Sequence, residues 1–471
     1  MKVKIENLGV LKKAEFEVGD LTIICGENGT GKTYASYALY GFLKFWHEEF
    51  YYDFLNEEEI NSILEFGSLK IMIDDINNKV PEIISKAVLR YEENLSKNFG
   101  SSDKMFLSSR FEFFIDNYNI IYKSDFIDFS ISSESLKITL NFQKNSNDDF
   151  STIYVKNYLD VEKRIWIERL NLFILEVIFT RVFGYHFESN SKMDDNYNLN
   201  VKSSLGLPFM ASIERTGATT FQRELDIVRN QVLDGFQNYE GDIDKFDFQK
   251  FRDVRRYSRP VKDDVDFNRN LFDFTKYESF ISKEHPEILE VFHEILNGRY
   301  HITQHGTYFI PKGSNISMTM PESASSVRSL LNLGVYLEYN AQYGDILMID
   351  EPELNLHPKN QRAIARLLAM LVNVGIKVFI TTHSDYIIRE FNTLIMLKDL
   401  KSKEEAAALK IMEDYKYSEN ELLGIDNLKV YIAKNETLEK ALVDEQEGIE
   451  IESFDETIRE MNKIQDKVMF G

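Results

Sequence analysis

Leu21-Thr22-Ile23-Ile24-Cys25-Gly26-Glu27-Asn28-Gly29-Thr30-Gly31-Lys32-Thr33 decides how the chain is read. The first five residues form a short run without charge, as a strand buried on both faces of a sheet requires. Three glycines in the next six positions let the backbone curl so that successive N–H groups point inward. Residues 34–46 then read as an apolar helix, whose N-terminus adds partial positive charge to the same hollow. Strand, glycine loop and helix together make a phosphate cradle. Gly26, Glu27, Asn28, Gly29, Thr30, Gly31, Lys32 and Thr33 are therefore expected to bind nucleotide, with Lys32 reaching the terminal phosphates and Thr33 binding Mg2+. The alternative is a glycine-rich turn opening an ordinary helix; the apolar strand and helix on either side argue against it.

Two further apolar runs end in reactive residues. Asp345-Ile346-Leu347-Met348-Ile349-Asp350-Glu351-Pro352 would present two carboxylates at the carboxyl edge of a parallel sheet, where ligands bind. Asp350 is expected to hold Mg2+, directly or through water, and Glu351 to polarise the attacking water as a general base. Taken alone, either acid would also suit a solvated turn. Val378-Phe379-Ile380-Thr381-Thr382-His383-Ser384 ends a third strand at the same edge. Its His383 either meets the γ-phosphate or water as a catalytic partner of Glu351 and Lys32, or is structural. No His/Cys cluster has zinc spacing, and His301 and His305 read as surface or strand residues.

The composition is that of a globular chain: 471 residues, 43% hydrophobic and 28% charged, enough for two or three domains. No apolar stretch approaches the ~20 residues of a membrane helix, and no apolar leader opens the sequence. With one cysteine, Cys25, no intrachain disulfide can form, and a cytoplasmic protein is expected. A net charge of −22 excludes a surface that binds nucleic acid throughout, but leaves room for one basic face or for docking onto a basic partner. Lys250, Arg252, Arg255, Arg256, Arg259 and Lys262, interleaved with Phe251 and Tyr257, form such a cluster. It either tracks the phosphates of DNA or is a solvated or docking face.

Four parts are expected along the chain. Residues 1–46 begin the core. Residues 47–205 are an inserted lobe, with helices at 61–66, 81–99 and 161–183 and strands at 111–122 and 135–142. Residues 206–400 resume the core, with helices at 221–242, 276–297, 325–340 and 359–374 and strands at 300–303, 306–311, 316–320, 345–350 and 377–382. Residues 401–471 form a C-terminal α/β extension, and the chain from 392 onward is expected to pack at the domain edge.

The glycine loop, the Asp350-Glu351 pair and the Thr382-His383-Ser384 turn resemble the Walker A, Walker B and switch-histidine motifs of ABC-type ATPases. More narrowly, residues 1–33 and Asp350-Glu351-Pro352-Glu353-Leu354-Asn355-Leu356-His357-Pro358 resemble the branch containing the RecF, SMC and OLD-family proteins. The resemblance spans about residues 1–45 and 205–400. It implies an α/β P-loop NTPase fold with an ABC-ATPase-like mixed sheet flanked by helices. A large inserted α+β or helical lobe interrupts it. ATP and Mg2+ are the implied ligands, with two ATPs sandwiched in a head-to-tail homodimer or larger homo-oligomer.

In such ATPases a signature motif opens the helix before Walker B. Ala324-Ser325-Ser326-Val327-Arg328-Ser329-Leu330 stands there, keeping the serine of Leu-Ser-Gly-Gly-Gln but neither glycine. Either Ser325 or Ser326 would meet the γ-phosphate held by the opposite subunit, and both would also suit a helix cap. Residues 353–358 match the D-loop that crosses the interface, with Pro358 in the first turn of the next helix. Gln222 is a Q-loop candidate, and Arg215 either senses phosphate, locks the lobe or makes a structural ion pair.

A transporter subunit is disfavoured by the degenerate signature and the early insertion, and an SMC-type tether by the lack of a long heptad run. An OLD-type nuclease is disfavoured because the acidic strand ends of its metal site are missing after His383. The expectation is an ATPase that senses and regulates a separate effector, a nuclease or toxin. It resembles stand-alone ATPase subunits of bacterial anti-phage systems of the PARIS and Septu type. The alternatives are a RecF-like DNA-repair or DNA-clamping ATPase and a non-hydrolysing nucleotide-gated scaffold.

Overall fold

The computed structural model describes residues 1–133, 138–156, 163–183, 191–192, 208–221 and 257–470. Its centre is a nine-stranded mixed sheet. The strands are β1 (Lys2–Leu8), β2 (Leu11–Glu17), β3 (Leu21–Cys25), β4 (Arg110–Phe114), β5 (Pro208–Ala211), β6 (Ile346–Asp350), β7 (Lys377–Thr382), β8 (Leu428–Lys434) and β9 (Thr437–Lys440). Across the sheet they run β5-β6-β7-β3-β8-β9-β2-β1-β4. The first five are parallel to their neighbours. The remaining pairings are antiparallel except β9 with β2.

Five helices matter for the site: α1 (Lys32–Glu48), α2 (Arg259–Arg269), α3 (Ser325–Val335), α4 (Pro358–Asn373) and α5 (Asp385–Lys403). The parallel strands are sandwiched, which is why their sequences are unbroken apolar runs. Ile24, Met348 and Phe379 enter one core with Phe42 and Leu43 of α1. Ile23, Leu347, Ile349 and Ile380 enter the other with Leu330 of α3, Leu367 and Leu368 of α4 and Phe391 of α5. Register then sets the site. Thr382 pairs with Cys25 and Asp350 with Thr381, so three strands end in line at one carboxyl edge.

The segment between α1 and β5 builds a second sheet from Ser68–Met72, Phe150–Lys156, Ile138–Lys144, Ile127–Ser133 and Ser191–Lys192, in that order. Helices Ile73–Glu93 and Lys163–Phe183 join it to the core beneath α1 through Ile76, Ile83, Phe173 and Ile178. This segment also gives β4 to the main sheet as its edge strand.

Several expectations need correction. The strand expected over 111–122 ends at Phe114, and Asn117 accepts the Asn119 N–H at 2.9 Å in a local turn that stops the ladder. The helix expected over 276–297 is two helices, Phe280–Glu284 and Pro286–Leu296, because Pro286 disfavours helical backbone at His285. Residue 392 lies inside α5, not at a boundary. Above all, the chain beyond 401 is not edge packing: β8 lies beside β3, with Val430 paired to Ile23. The helix expected over 221–242 lies outside the described residues except for Phe221.

Candidate nucleotide-binding site

The glycine loop joins β3 to α1 with positive φ at Gly26 (142°), Gly29 (77°) and Gly31 (99°). A side chain at Gly26 would meet the Ala433 carbonyl of β8 at 2.5 Å, and one at Gly31 would meet Leu11 at 2.7 Å. Both positions need glycine for space as well as backbone. Thr30 donates its hydroxyl to the Glu27 carbonyl at 2.8 Å and so closes the turn. Lys32 is buried, its Nζ donating to the carbonyls of Gly26 at 2.8 Å and Glu27 at 2.7 Å. Burial lowers its pKa, against the pull of Glu351, Asp350 and Glu353.

Asp350, the last residue of β6, is fully buried. Thr381 of β7 donates its hydroxyl to Oδ1, while Oδ2 has no hydrogen-bond partner. Desolvation raises its pKa to about 6, although the Thr381 and Thr33 hydroxyls stabilise the carboxylate. A buried carboxylate with a spare oxygen beside the Thr33 hydroxyl fits a hard cation. Among the described residues no group of three or more His, Cys, Asp or Glu could hold a metal.

Glu351 follows in left-handed backbone, φ 53°, unusual for a residue with a side chain. Two contacts hold it there: its N–H donates to the Thr381 carbonyl at 3.1 Å, and Arg215 donates to its carbonyl at 2.7 Å. Its Oε1 lies 3.2 Å from Nδ1 of His383. This hydrogen bond lowers the Glu351 pKa and raises that of His383. Glu353 also faces His383, at 3.5 Å from Nδ1. In the loop 353–358, expected to cross to a second copy, Glu353 is buried within its own chain. Asn355 and His357 are exposed, and Pro358 opens α4.

Arg215 is the residue whose part the sequence understated. Its buried guanidinium donates to the carbonyls of Ser212 (2.7 Å), Ser329 (2.9 Å), Asp350 (2.7 Å) and Glu351 (2.7 Å). It thus ties the end of β5, helix α3 and the acidic end of β6 into one block. Buried Asp264 of α2 extends the block, accepting from the Ser212 N–H at 2.9 Å and from Asn332 of α3 at 2.7 Å. Burial raises its pKa to about 7.

Ser325 and Ser326 stand apart. Among the described residues no hydrogen bond joins either to the glycine loop. They do not cap α3 either; the N-cap is Ala324, with no side-chain bond, and Ser325 is exposed. Gln222 and the basic residues Lys250, Arg252, Arg255 and Arg256 lie outside the described residues. Arg259 is committed to Glu48, Glu49 and Asp263, so it braces α2 against the end of α1. Lys262 is exposed, and His301 and His305 are surface residues. No described helix is long and apolar enough to cross a membrane.

Among solved structures the chain is similar to the SMC head domain from Thermotoga maritima, at 11% identity over 94% of this chain and 98% of that one, with a TM-score of 0.28. It is also similar to the Smc head domain with an extended coiled coil bound to the C-terminal domain of ScpA, from Pyrococcus furiosus. There the identity is 10%, coverage 98% of each chain and the TM-score 0.30. No match was found among curated proteins. The model of the AAA ATPase domain family matches residues 1–388. This chain belongs to the AAA ATPase domain family.

Proposed function

We propose that the chain binds ATP with Mg2+ at the carboxyl edge of its sheet and hydrolyses it, the nucleotide closing a homodimer. One observation carries this reading: Lys32, Thr33, Asp350, Glu351 and His383 come from three neighbouring strand ends, and Glu351 lies 3.2 Å from His383. Thr33 and Asp350 would hold Mg2+, which would offset phosphate charge when bound. Lys32 contributes a fixed cation in a nearly dry hollow, where it acts more strongly on a phosphate than in water. Glu351 accepts a proton from water, held by its strained backbone and oriented by His383. Its lowered pKa keeps it ionised and ready to accept.

Exposed Ser325 supports a composite site, since a helix N-terminus facing outward suits a γ-phosphate held by a second copy. The resulting closed dimer would act as a switch in the cytoplasm on a separate effector, a nuclease or toxin in anti-phage defence. That outer role rests on the sequence resemblance alone. Glu351→Gln tests the inner one: it should bind ATP, lose turnover and accumulate as a dimer by light scattering with ATP. Unchanged turnover would reject it.

A further inference from the structure

Glu353 lies three residues beyond β6, only 5% exposed, yet its two oxygens are unequally used. Oε1 accepts from the Thr382 hydroxyl at 2.8 Å and from the backbone N–H of His383 at 2.8 Å. Oε2 is buried with no hydrogen-bond partner. Nδ1 of His383 faces both neighbouring acids, at 3.2 Å from Glu351 and 3.5 Å from Glu353. A single nitrogen carries a single proton, so only one of these carboxylates can be its main acceptor at a time. A carboxylate that merely closed the turn after β7 would be satisfied by the two donors on Oε1. The oxygen nearest the imidazole is the doubly used Oε1, and the unpartnered Oε2 leaves the same buried carboxylate with acceptor capacity to spare.

We propose that Glu353 is a positioning residue for His383: it pins the histidine's backbone and takes over the Nδ1–H when Glu351 turns to water. The proton stays on Nδ1 throughout; only its acceptor changes, from Glu351 to Glu353. The same logic applies wherever a carboxylate behind a histidine sets its tautomer and orientation. Burial raises the Glu353 pKa, and the His383 N–H and Thr382 hydroxyl oppose that rise. This inference rests on the ATPase reading.

The test is a double-mutant cycle on ATP turnover with Glu353→Gln and His383→Ala. Glu353→Gln keeps the side-chain shape and should lower kcat about tenfold, with KM for ATP within about twofold. In the His383→Ala background it should have no further effect. An equal fall in both backgrounds, or none in either, overturns the proposal. Glu351→Gln separates the two readings: turnover equal to wild type would sink the ATPase reading itself. A second measurement needs neither turnover nor a folded Glu353 variant. In 15N-histidine NMR of the Glu351→Gln protein, the His383 signal, identified by its loss on His383→Ala, should show a protonated Nδ1 held by Glu353. An Nε2-protonated tautomer there overturns the proposal.

Discussion

At the carboxyl edge of the sheet, Lys32, Asp350 and Glu353 are all at most 5% exposed, and hydrogen bonds from Thr381, Thr382 and Arg215 fix the acidic turn around them. At the N-terminus of α3, by contrast, Ser325 is exposed and makes no cap. The two regions are nevertheless linked, because Arg215 donates both to Ser329 of α3 and to the Asp350 and Glu351 carbonyls. One region is pre-organised within a single chain; the other is shaped as a surface. We propose that one chain completes the catalytic half of a site and offers the second half outward. A change at the signature surface would reach the acidic turn through the arginine.

The largest effect should come from the pre-organised half. Glu351→Gln should lower turnover by about 10²–10⁴-fold with ATP affinity retained, measured by phosphate release and by titration of a fluorescent ATP analogue. Retained turnover would show that the buried edge is not where water is activated. Arg215→Met should come next, leaving four carbonyls without their shared donor. A loss of about 3 kcal/mol in chemical denaturation is expected, with weakened turnover in the protein that remains folded. A purely local loss of stability, with turnover per folded molecule unchanged, would remove the arginine as the link between the halves.

Ser325→Arg should behave oppositely. It alters an exposed helix start, so stability and ATP binding by the monomer should stay within about 0.5 kcal/mol of wild type. ATP-dependent dimerisation and turnover should fall. A drop in monomer affinity for ATP would erase the contrast between the regions. A pH-dependent effect belongs to Asp264, behind the arginine. Its pKa is raised to about 7 in the folded protein, against about 3.9 for an unfolded aspartate. Over that window the folded state binds more protons, so this contribution to stability is present at pH 4 and is lost as pH rises through 7. The melting temperature of wild type relative to Asp264→Asn should therefore fall between pH 4 and pH 7; a rising difference would reverse the assignment.

What could be read from the sequence was local. The glycine loop, the Asp350-Glu351 end and the Thr382-His383 end each sit at a strand terminus with its own signal: glycines, paired acids, a polar run after apolar residues. Their meeting follows from parallel strands in register. The position of β8 was hidden because its pairing of Leu428 with Leu21 joins residues some four hundred positions apart, and its own apolar pattern suits an edge or a centre equally. Arg215 and Glu353 were undervalued for a related reason. A lone charge looks like a surface group until the fold buries it against partners from distant parts of the chain. Helix caps misled at Ser325, where a serine at the right offset is N1 and the cap is Ala324.

On this proposal, two copies of the chain complete one site. Lys32→Ala removes the glycine-loop lysine and keeps the signature; Ser325→Arg does the reverse. Each variant alone should hydrolyse almost no ATP. Mixed in equal amounts, they should regain about a quarter of wild-type turnover, since half the dimers are mixed and each holds one intact composite site. No recovery on mixing, with Ser325→Arg fully active alone, would contradict it.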